Sequence, residues 1–227
     1  MRTAILVDGG FFRKRASHLW DYTVPSELAQ ILQEYCWKHI KQSNAKHKGE
    51  PFDLYRIFYY DCPPSDKKVF HPLLQKQIDL KKTDSYAWNI SFFNELKKRR
   101  KFALRMGALS DTQSHYTIRY EIVKKLCNGS LSFDSLTEED FELHMEQKGV
   151  DMRIGLDIAS LAYKKQVEQI ILISGDSDFV PAAKQARREG IDFILDPLWS
   201  PIKDDLYEHI DGIRSCVKKP QLNNENS

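Results

Sequence analysis

The sequence has few cysteines and no long hydrophobic run. Its four cysteines, Cys36, Cys62, Cys127 and Cys216, are scattered, without a Cys-x-x-Cys pair or a histidine partner at metal-ligand spacing. This pattern is typical of reduced thiols in the cytosol and argues against a disulfide framework. The first apolar run, residues 4–7, is too short for a signal peptide, and nothing approaches a membrane span. We therefore expect a cytoplasmic protein with no membrane partner.

The chain also lacks a strong charge of either sign and a dinucleotide-binding motif. Its formal net charge is only +2 over 227 residues, so any attraction for nucleic acid has to come from a local patch. Gly9 and Gly10 follow an apolar run, but Phe11, Phe12 and Arg13 come next and break the Gly-x-Gly-x-x-Gly pattern. The sequence therefore argues against a dinucleotide site.

Two acidic residues follow the most strongly apolar stretch of the chain. Residues 170–173 are consecutive aliphatic residues that stop at Ser174 and Gly175, which predicts a strand buried on both faces of a parallel sheet. Asp176 and Asp178 come next, at the carboxyl end of this strand. Open α/β sheets bind their ligands at that edge.

The residues after this strand predict a helix over 179–189, which ends at Gly190. Two interpretations of the acidic pair remain open at this point. Asp178 or Ser177 caps the helix, or Asp176 and Asp178 bind a cation that relieves their mutual repulsion.

A second strand, residues 3–7, also ends in an acidic residue, Asp8, which is followed by glycine. Strands that alternate with helices predict an α/β fold with a central, mostly parallel sheet and helices on both faces. Asp8, Asp176 and Asp178 should then converge at one edge, and Asp151, which opens the helix before the central strand, is a further candidate. Carboxylates without histidine or cysteine suit Mg²⁺ or Mn²⁺. Such a set is typical of a metal-dependent phosphodiesterase.

The helix predicted for residues 151–164 has two apolar stripes, one at 152, 156, 159 and 163 and one at 154, 158 and 161. Because the apolar arc is so wide, we expect the helix to be buried against the sheet. Asp157 lies inside it. An ion pair with Arg153, one turn away, and direct involvement in a site are both open interpretations.

Two basic clusters are candidates for binding a polyanion: Arg13, Lys14 and Arg15, and the run Lys97, Lys98, Arg99, Arg100 and Lys101. The first follows the glycines after Asp8, and the second ends a predicted helix. A solvated helix start and a solvated helix end are the structural alternatives.

The remaining segments are assigned from periodicity and turn signals. We predict a helix over 26–43 capped by Ser26, a loop over 42–51, strands over 52–60, 102–109, 115–125 and 191–195, helices over 67–100 with a break near 83–85, and a closing helix over 202–210. Asp61 is a third acidic residue after a strand, and because Pro63 and Pro64 follow it, a site residue and an ordinary loop cap are both open interpretations. Residues 128–139 look loop-like, and those before Gly149 are either helical or irregular.

The sequence resembles the NYN domain, the LabA-like branch of the PIN-like nuclease superfamily. The matching pieces are ILVDGGFF, RIFYYDCPP, KGVDMRIGLDIASLA, IILISGDSDFVPAAKQARREGIDFIL and DDLYEHIDGI. Many relatives carry an asparagine shortly after the first glycine, as in DGxN, where this chain has Gly10 and Phe11. The matching pieces lie mostly at the two ends of the chain, so we expect one domain over 1–216, with helical and loop insertions in about 21–147, and a disordered tail over 217–227.

The resemblance implies a Rossmann-like PIN fold and a metal-dependent ribonuclease that acts on single-stranded or structured RNA. A homo-oligomer is a further expectation. It implies that Asp8, Asp151, Asp176 and Asp178 are catalytic and bind Mg²⁺ or Mn²⁺, with Asp157 as a further match. Supporting roles fall to Gly9, Ser174, Gly175 and Ser177, and the two basic clusters are the candidates for the RNA path.

Three other functions compete with this one. A haloacid-dehalogenase-like phosphatase needs Asp-x-Asp on its first strand, and here the second aspartate is replaced by Gly10. A Toprim-like domain needs glutamate on its first acidic strand, where this chain has Asp8. An RNA-binding module without turnover remains the alternative from another class.

Overall fold

Helices and parallel strands alternate in the computed structural model, which describes residues 1–46, 51–110 and 114–220. The strands are β1 (Arg2–Asp8), β2 (Asp53–Asp61), β3 (Lys68–His71), β4 (Lys76–Asp79), β5 (Phe102–Met106), β6 (Ala108–Leu109), β7 (His115–Ile118), β8 (Phe141–His144), β9 (Gln147–Lys148), β10 (Gln169–Ile173), β11 (Asp192–Asp196) and β12 (Gly212–Ile213). The helices are α1 (Gly9–Leu19), α2 (Pro25–Lys46), α3 (Asp84–Lys97), α4 (Tyr120–Cys127), α5 (Val150–Tyr163), α6 (Val180–Arg188) and α7 (Asp204–Glu208).

A six-stranded sheet in the order β12-β11-β10-β1-β2-β5 forms the centre of the fold, and each of its pairings is parallel. Every residue of β10 is buried, because its aliphatic side chains are covered on both faces of the sheet. The predicted α/β fold with a central parallel sheet is confirmed.

Helices cover both faces of this sheet. Successive side chains on a strand point to opposite faces, so Tyr59 and Tyr60 of β2 report on the two sides separately. The Tyr59 ring packs against Phe92 and Phe93 of α3, with centroids 5.7 and 6.3 Å away. The Tyr60 hydroxyl donates a hydrogen bond to Asp157 of α5 at 2.9 Å. We conclude that α3 and α5 lie on opposite faces.

The chain divides into two compact units. The first, formed by residues 1–61, 91–107 and 149–227, contains the six-stranded sheet, and the second is formed by residues 62–90 and 108–148. The second unit contains three two-stranded antiparallel sheets, which pair β3 with β4, β6 with β9 and β7 with β8. That the chain forms a single domain with insertions stays a prediction, but the second unit is richer in strands than the predicted helical and loop insertions.

The predicted helix at residues 67–82 is wrong, because β3 and β4 form a hairpin there. Val69 and His71 are buried and alternate with exposed neighbours, which is the period of a strand. The helical part of the segment is α3. The predicted strand over 115–125 stops at Ile118 and is followed by α4, and the residues before Gly149 form β8 and β9 instead of a helix or irregular structure.

Three predicted boundaries also change. Helix α2 begins at Pro25 and runs to Lys46, so Ser26 is not its cap and the predicted loop over 42–51 starts too early. The Glu27 carboxylate instead accepts the N–H groups of Thr23 and Val24, at 2.8 and 3.2 Å. The strand predicted over 102–109 is split into β5 and β6. Within the predicted tail, residues 221–227 lie outside the described residues.

Helix α5 is buried against the sheet as predicted, but only one of its two apolar stripes is covered. Ile154, Ile158 and Leu161 face the core, but Met152, Leu156 and Tyr163 are 69%, 62% and 63% exposed. A helix on a sheet buries only the stripe that faces it, and the second stripe lies on the far side. In the part of the chain that the structure describes, none of the helices has the length and apolar character needed to span a membrane.

A buried carboxylate, Asp196, ends β11 and binds several donors. The Tyr35 hydroxyl donates to it at 2.5 Å and the Ser215 hydroxyl at 2.6 Å, the Leu198 N–H donates at 2.9 Å, and His39 Nε2 lies 2.8 Å away. The Asp196 and His39 side chains are fully buried. This network ties α2 and the segment after β12 to the sheet.

Replacing Asp196 with alanine is expected to lower the free energy of unfolding by about 3–5 kcal/mol, because buried donors lose their acceptor. Urea unfolding followed by circular dichroism measures the loss. Asp21→Ala, at an exposed carboxylate, is the control and should change the value by less than about 0.5 kcal/mol. Equal stability of the two variants would contradict a structural role for the network.

Candidate active site

Asp8 occupies the carboxyl end of β1 and caps the following helix. Its Oδ1 accepts the N–H of Phe11 at 3.1 Å, in the first turn of α1. Its Oδ2 accepts the hydroxyl of Ser174 at 3.2 Å. The parallel register pairs Val7 with Ile173, so Asp8, the last residue of β1, and Ser174, the residue after β10, lie side by side.

Ser174 also holds the loop that carries the acidic pair. Its buried hydroxyl accepts the N–H of Asp176 at 3.3 Å, and Asp176 Oδ1 accepts the N–H of Asp178 at 3.0 Å. Asp176 therefore caps the 3₁₀ turn Ser177–Phe179 that leads into α6. The proposed cap at Asp178 or Ser177 is wrong, although Ser177 begins the turn.

Asp151 lies in the first turn of α5, after Gly149, and is exposed. Partial burial and the nearby carboxylates of Asp176 and Asp178 raise its pKa. Three acidic side chains thus share one electrostatic neighbourhood, in which the charges of Asp176 and Asp178 favour the protonated form of Asp151.

Asp8 belongs to the same neighbourhood. Burial raises its pKa, the hydrogen bonds from Phe11 and Ser174 offset part of that rise, and Asp151 and Asp61 raise it further. We call Asp8, Asp151, Asp176 and Asp178 the carboxylate cluster.

The cluster contains the donor types that hard divalent cations prefer. Its donors are carboxylate oxygens, and neighbouring carboxylates add to the effect of burial in raising the pKa of Asp8 and of Asp151. Over residues 1–46, 51–110 and 114–220, no group of three or more histidine, cysteine, aspartate or glutamate side chains is arranged to hold a metal ion. The chemistry of the donors therefore fits Mg²⁺ or Mn²⁺, and the side chains do not form a ready-made coordination shell.

Asp157 has partners that the sequence did not suggest. It lies 3.0 Å from Arg105 Nε of β5 and accepts the Tyr60 hydroxyl at 2.9 Å. The predicted ion pair with Arg153 is not the one that forms. Because β2 alternates, Arg56, Phe58 and Tyr60 share one face, and this pattern is the signal that could have placed Tyr60 beneath α5.

Two glycines allow close packing around the cluster. A Cβ atom on Gly9 would lie 2.6 Å from Asp61 Oδ2 and from the Tyr59 hydroxyl. A Cβ atom on Gly175 would lie 2.8 Å from the Phe11 ring. Phe11 thus packs against the loop that follows β10.

The first basic cluster is mostly used within the protein. Arg13 forms a bidentate ion pair with Asp61, which is 1% exposed, and Arg15 donates to the Leu198 carbonyl at 2.8 and 3.1 Å. Lys14 is exposed. Asp61, for which a site residue and an ordinary loop cap were both open interpretations, is therefore the buried last residue of β2 and a partner of Arg13.

The second basic cluster lies at the opposite edge of the sheet from the carboxylate cluster. It directly precedes Phe102, the first residue of β5, so it sits at the amino end of the strands, about 17 Å away along a five-residue strand. Lys101 binds the Leu54 carbonyl at the amino end of β2. Two further residues of this cluster donate hydrogen bonds within the protein. Lys98 donates to Glu95, and Arg99 donates to Gln33 and to the Ser26 carbonyl.

The NYN domain family model matches residues 2–200. The chain belongs to the NYN domain family. NYN domains form part of the PIN-like nuclease superfamily, a group of ribonuclease-like hydrolases that generally use divalent metal ions. No curated protein matches the sequence. A solved structure of a Vibrio parahaemolyticus protein of unknown function is similar at 13% identity, over 93% of this chain and 90% of that one, with a TM-score of 0.45.

In this NYN chain, Gly9→Ala is expected to lower the free energy of unfolding by about 1–3 kcal/mol, because the added methyl group overlaps Asp61 and Tyr59. Gly10→Ala is the matched control, since the nearest atom to its new Cβ is 3.6 Å away and alanine favours a helix. Chemical denaturation of both variants measures the difference. If Gly9→Ala is as stable as Gly10→Ala, the close packing beside Asp8 is not a constraint.

Asp8→Asn is expected to raise the melting temperature in EDTA at neutral pH by roughly 2–4 °C, the effect of about 1 kcal/mol in a chain of this length. The raised pKa of Asp8 means that its charge costs stability once the pH exceeds the unfolded value, and none below it. The advantage of the variant should therefore grow as the pH rises from 4 to 7. Thermal unfolding at each pH measures it.

The same melting experiment tests the fit to a metal without measuring activity. Mn²⁺ or Mg²⁺ should raise the melting temperature of the wild type more than that of Asp8→Asn, because the ion relieves a repulsion that the variant lacks. A variant less stable than the wild type at pH 7 in EDTA would mean that the Asp8 charge is stabilising as a helix cap.

Proposed function

We propose that the protein is a metal-dependent ribonuclease that hydrolyses RNA phosphodiester bonds at the carboxylate cluster. The observation that supports this most is the meeting of Asp8, Asp151, Asp176 and Asp178 in one electrostatic neighbourhood at the carboxyl edge of a parallel sheet. That edge is where open α/β folds bind ligands, and the family is one of ribonuclease-like hydrolases.

Mg²⁺ or Mn²⁺ would be held by the carboxylate cluster, and a bound ion of this kind polarises a phosphoryl oxygen and lowers the pKa of water. The protein's own part is to fix the ligands. Ser174 bonds to Asp8 and to the backbone of Asp176, so the ends of β1 and β10 keep a fixed separation. Arg13 neutralises Asp61 alongside, which keeps that carboxylate out of the donor set.

RNA is the proposed substrate, and it needs cations along its path as well as an acidic centre. Lys14 is the exposed member of its cluster and lies on α1, whose first turn is capped by Asp8. Among the residues of the second cluster, Lys97 and Arg100 are proposed to contact RNA beyond the cleavage site. Binding through these residues should weaken steeply with salt.

An RNA-binding, regulatory module is the second candidate function. Phe11 favours it, because this apolar ring lies where many relatives carry asparagine and packs against Gly175. An asparagine side chain can hydrogen-bond to a ligand or to water, and the Phe11 side chain cannot. This function keeps the fold and the RNA surface without turnover.

We also propose that the protein acts in the cytoplasm, because its four cysteines are scattered without a Cys-x-x-Cys pair, a pattern typical of reduced thiols. A homo-oligomer stays a prediction.

A labelled single-stranded RNA incubated with the protein should be cut in Mg²⁺ or Mn²⁺ and stay intact in EDTA. Asp176→Asn should lower the rate at least about a hundredfold, because several kcal/mol of transition-state stabilisation is lost with a metal ligand. Denaturing gel electrophoresis of the products measures the rate and shows whether cleavage is internal.

Asp66→Asn is the control, since it removes an exposed carboxylate outside the cluster and should cut RNA like the wild type. Tight, salt-sensitive binding without cleavage, retained in Asp176→Asn, would support the regulatory module instead. Cleavage that survives both EDTA and Asp176→Asn would place the activity elsewhere or in a contaminant.

A further inference from the structure

A polar pocket of about 350 Å³ lies beside α5, on the flank that faces β2 and β5. Its cations come from three elements, with Arg56 on β2, Arg105 on β5 and Lys164 at the C-cap of α5. Asp157 is the one carboxylate among the described residues that line the pocket, so the lining carries three positive charges and one negative charge. A concave site with this surplus favours an anionic ligand. We call it the α5 pocket.

Arg105 is held in a fixed orientation inside the α5 pocket. Its Nε lies 3.0 Å from Asp157 Oδ2, and the centre of its guanidinium lies 5.4 Å from the centroid of the Phe58 ring. Asp157 is itself fixed by the Tyr60 hydroxyl at 2.9 Å. A guanidinium held at Nε and stacked on a ring loses little freedom when its two terminal nitrogens bind a ligand.

The donors of the α5 pocket are not used by the protein. The terminal nitrogens of Arg105 donate no hydrogen bond to any residue that the structure describes, and the side chains of Arg56 and Lys164 form no hydrogen bond or ion pair with those residues. Ser160 adds a hydroxyl to the lining. A planar fork flanked by two further cations matches the oxygens of a phosphate group.

The α5 pocket is separate from the carboxylate cluster. Asp157 follows Asp151 by six residues, which is about 9 Å along the helix axis and places the two on different sides of α5. Asp157 is engaged with Arg105 and Tyr60, so its role here is to position a cation.

We propose that the α5 pocket binds a phosphate group of an RNA strand, away from the bond that is cut. The choice of RNA as the source of the phosphate rests on the proposed function, whereas the preference for a phosphate group rests on the pocket. Arg105 is the central ligand, Arg56 and Lys164 add charge, and Asp157 and Tyr60 are positioning residues.

The first test is binding of a fluorescently labelled 12-nucleotide RNA, followed by anisotropy in EDTA over a range of salt. Arg105→Gln should weaken binding about tenfold, the loss expected for hydrogen bonds to a charged group at a partly exposed site. Arg56→Gln and Lys164→Gln should each reduce the slope of log K against log salt by about 0.7, the value for one phosphate contact on a single strand.

Arg153→Gln is the matched control, because it removes a cation from the same helix outside the α5 pocket. It should change affinity less than about twofold. If Arg105→Gln, Arg56→Gln and Lys164→Gln all behave like Arg153→Gln, the proposal is overturned.

The variant Asp157→Ala tests whether Arg105 binds the phosphate in a fixed orientation or whether the cations act only through their summed charge. Removing a negative charge tightens binding if the cations act only through their summed field, and weakens it if Asp157 orients Arg105. We expect weaker binding, and a smaller loss in the same direction for Tyr60→Phe, which keeps the ring and removes the hydroxyl. Tighter binding by Asp157→Ala would overturn the positioning role.

A competition experiment identifies the source of the phosphate. Inorganic phosphate and adenosine monophosphate should displace the labelled RNA only at millimolar concentration, since each offers a single contact. Displacement by adenosine monophosphate at the affinity of the RNA, lost in Arg105→Gln, would overturn the assignment to an RNA strand in favour of a free nucleotide.

Failure of this inference is distinguishable from failure of the nuclease. Metal-dependent cleavage with an RNA affinity unchanged by Arg105→Gln would support the proposed ribonuclease and overturn the proposed role of the α5 pocket. RNA binding that depends on Arg105, without any metal-dependent cleavage, would support the proposed role of the α5 pocket and overturn the proposed ribonuclease activity.

Discussion

The parallel register between β1 and β10 determines where the polar groups of the site lie. It places Asp8 beside Ser174, whose buried hydroxyl then bonds to Asp8 and to the backbone of Asp176. A shift of one residue in β10 would exchange the side chains that it presents to the two faces of the sheet, and each would then meet neighbours of the wrong shape in a close-packed core. The spacing between the acidic loops is thus set by backbone pairing in the core.

The acidic residues at the carboxyl edge of the sheet have two kinds of surroundings. Asp61 is buried and has a dedicated counter-ion in Arg13, so its charge is neutralised inside the fold. Asp151, Asp176 and Asp178 are exposed, and the pKa of Asp151 is raised by its neighbours. The buried charge of Asp61 is thus paired with a cation, while the carboxylate cluster lies at the ligand-binding edge, with Asp8 partly buried and held by the Phe11 N–H and the Ser174 hydroxyl. This division is what a cation site needs, because an internal arginine would otherwise compete with the metal.

The sequence was most informative where one physical rule acts alone. The apolar run of β10 and its abrupt stop predicted the central strand and the edge that carries Asp176. Prediction from the sequence failed where tertiary contacts decide the structure. The alternation at Val69 and His71 lies in a charged segment and was not recognised. Asp157 forms its ion pair with Arg105 of a distant strand and not with Arg153, one turn away. A hydrophobic stripe also cannot say whether a neighbour covers it, so the exposure of Met152 was missed.

The distance in sequence between β1 and β10 has a consequence for the order of synthesis. Thr3 pairs with Gln169, a separation of 166 residues, and β2 pairs with β1 about 50 residues downstream. At typical translation rates, β10 leaves the ribosome roughly ten to thirty seconds after β1. During that interval the backbone N–H and C=O groups on the edge of β1 that later receives β10 have no native partner, so this pairing is a late, long-range step in folding.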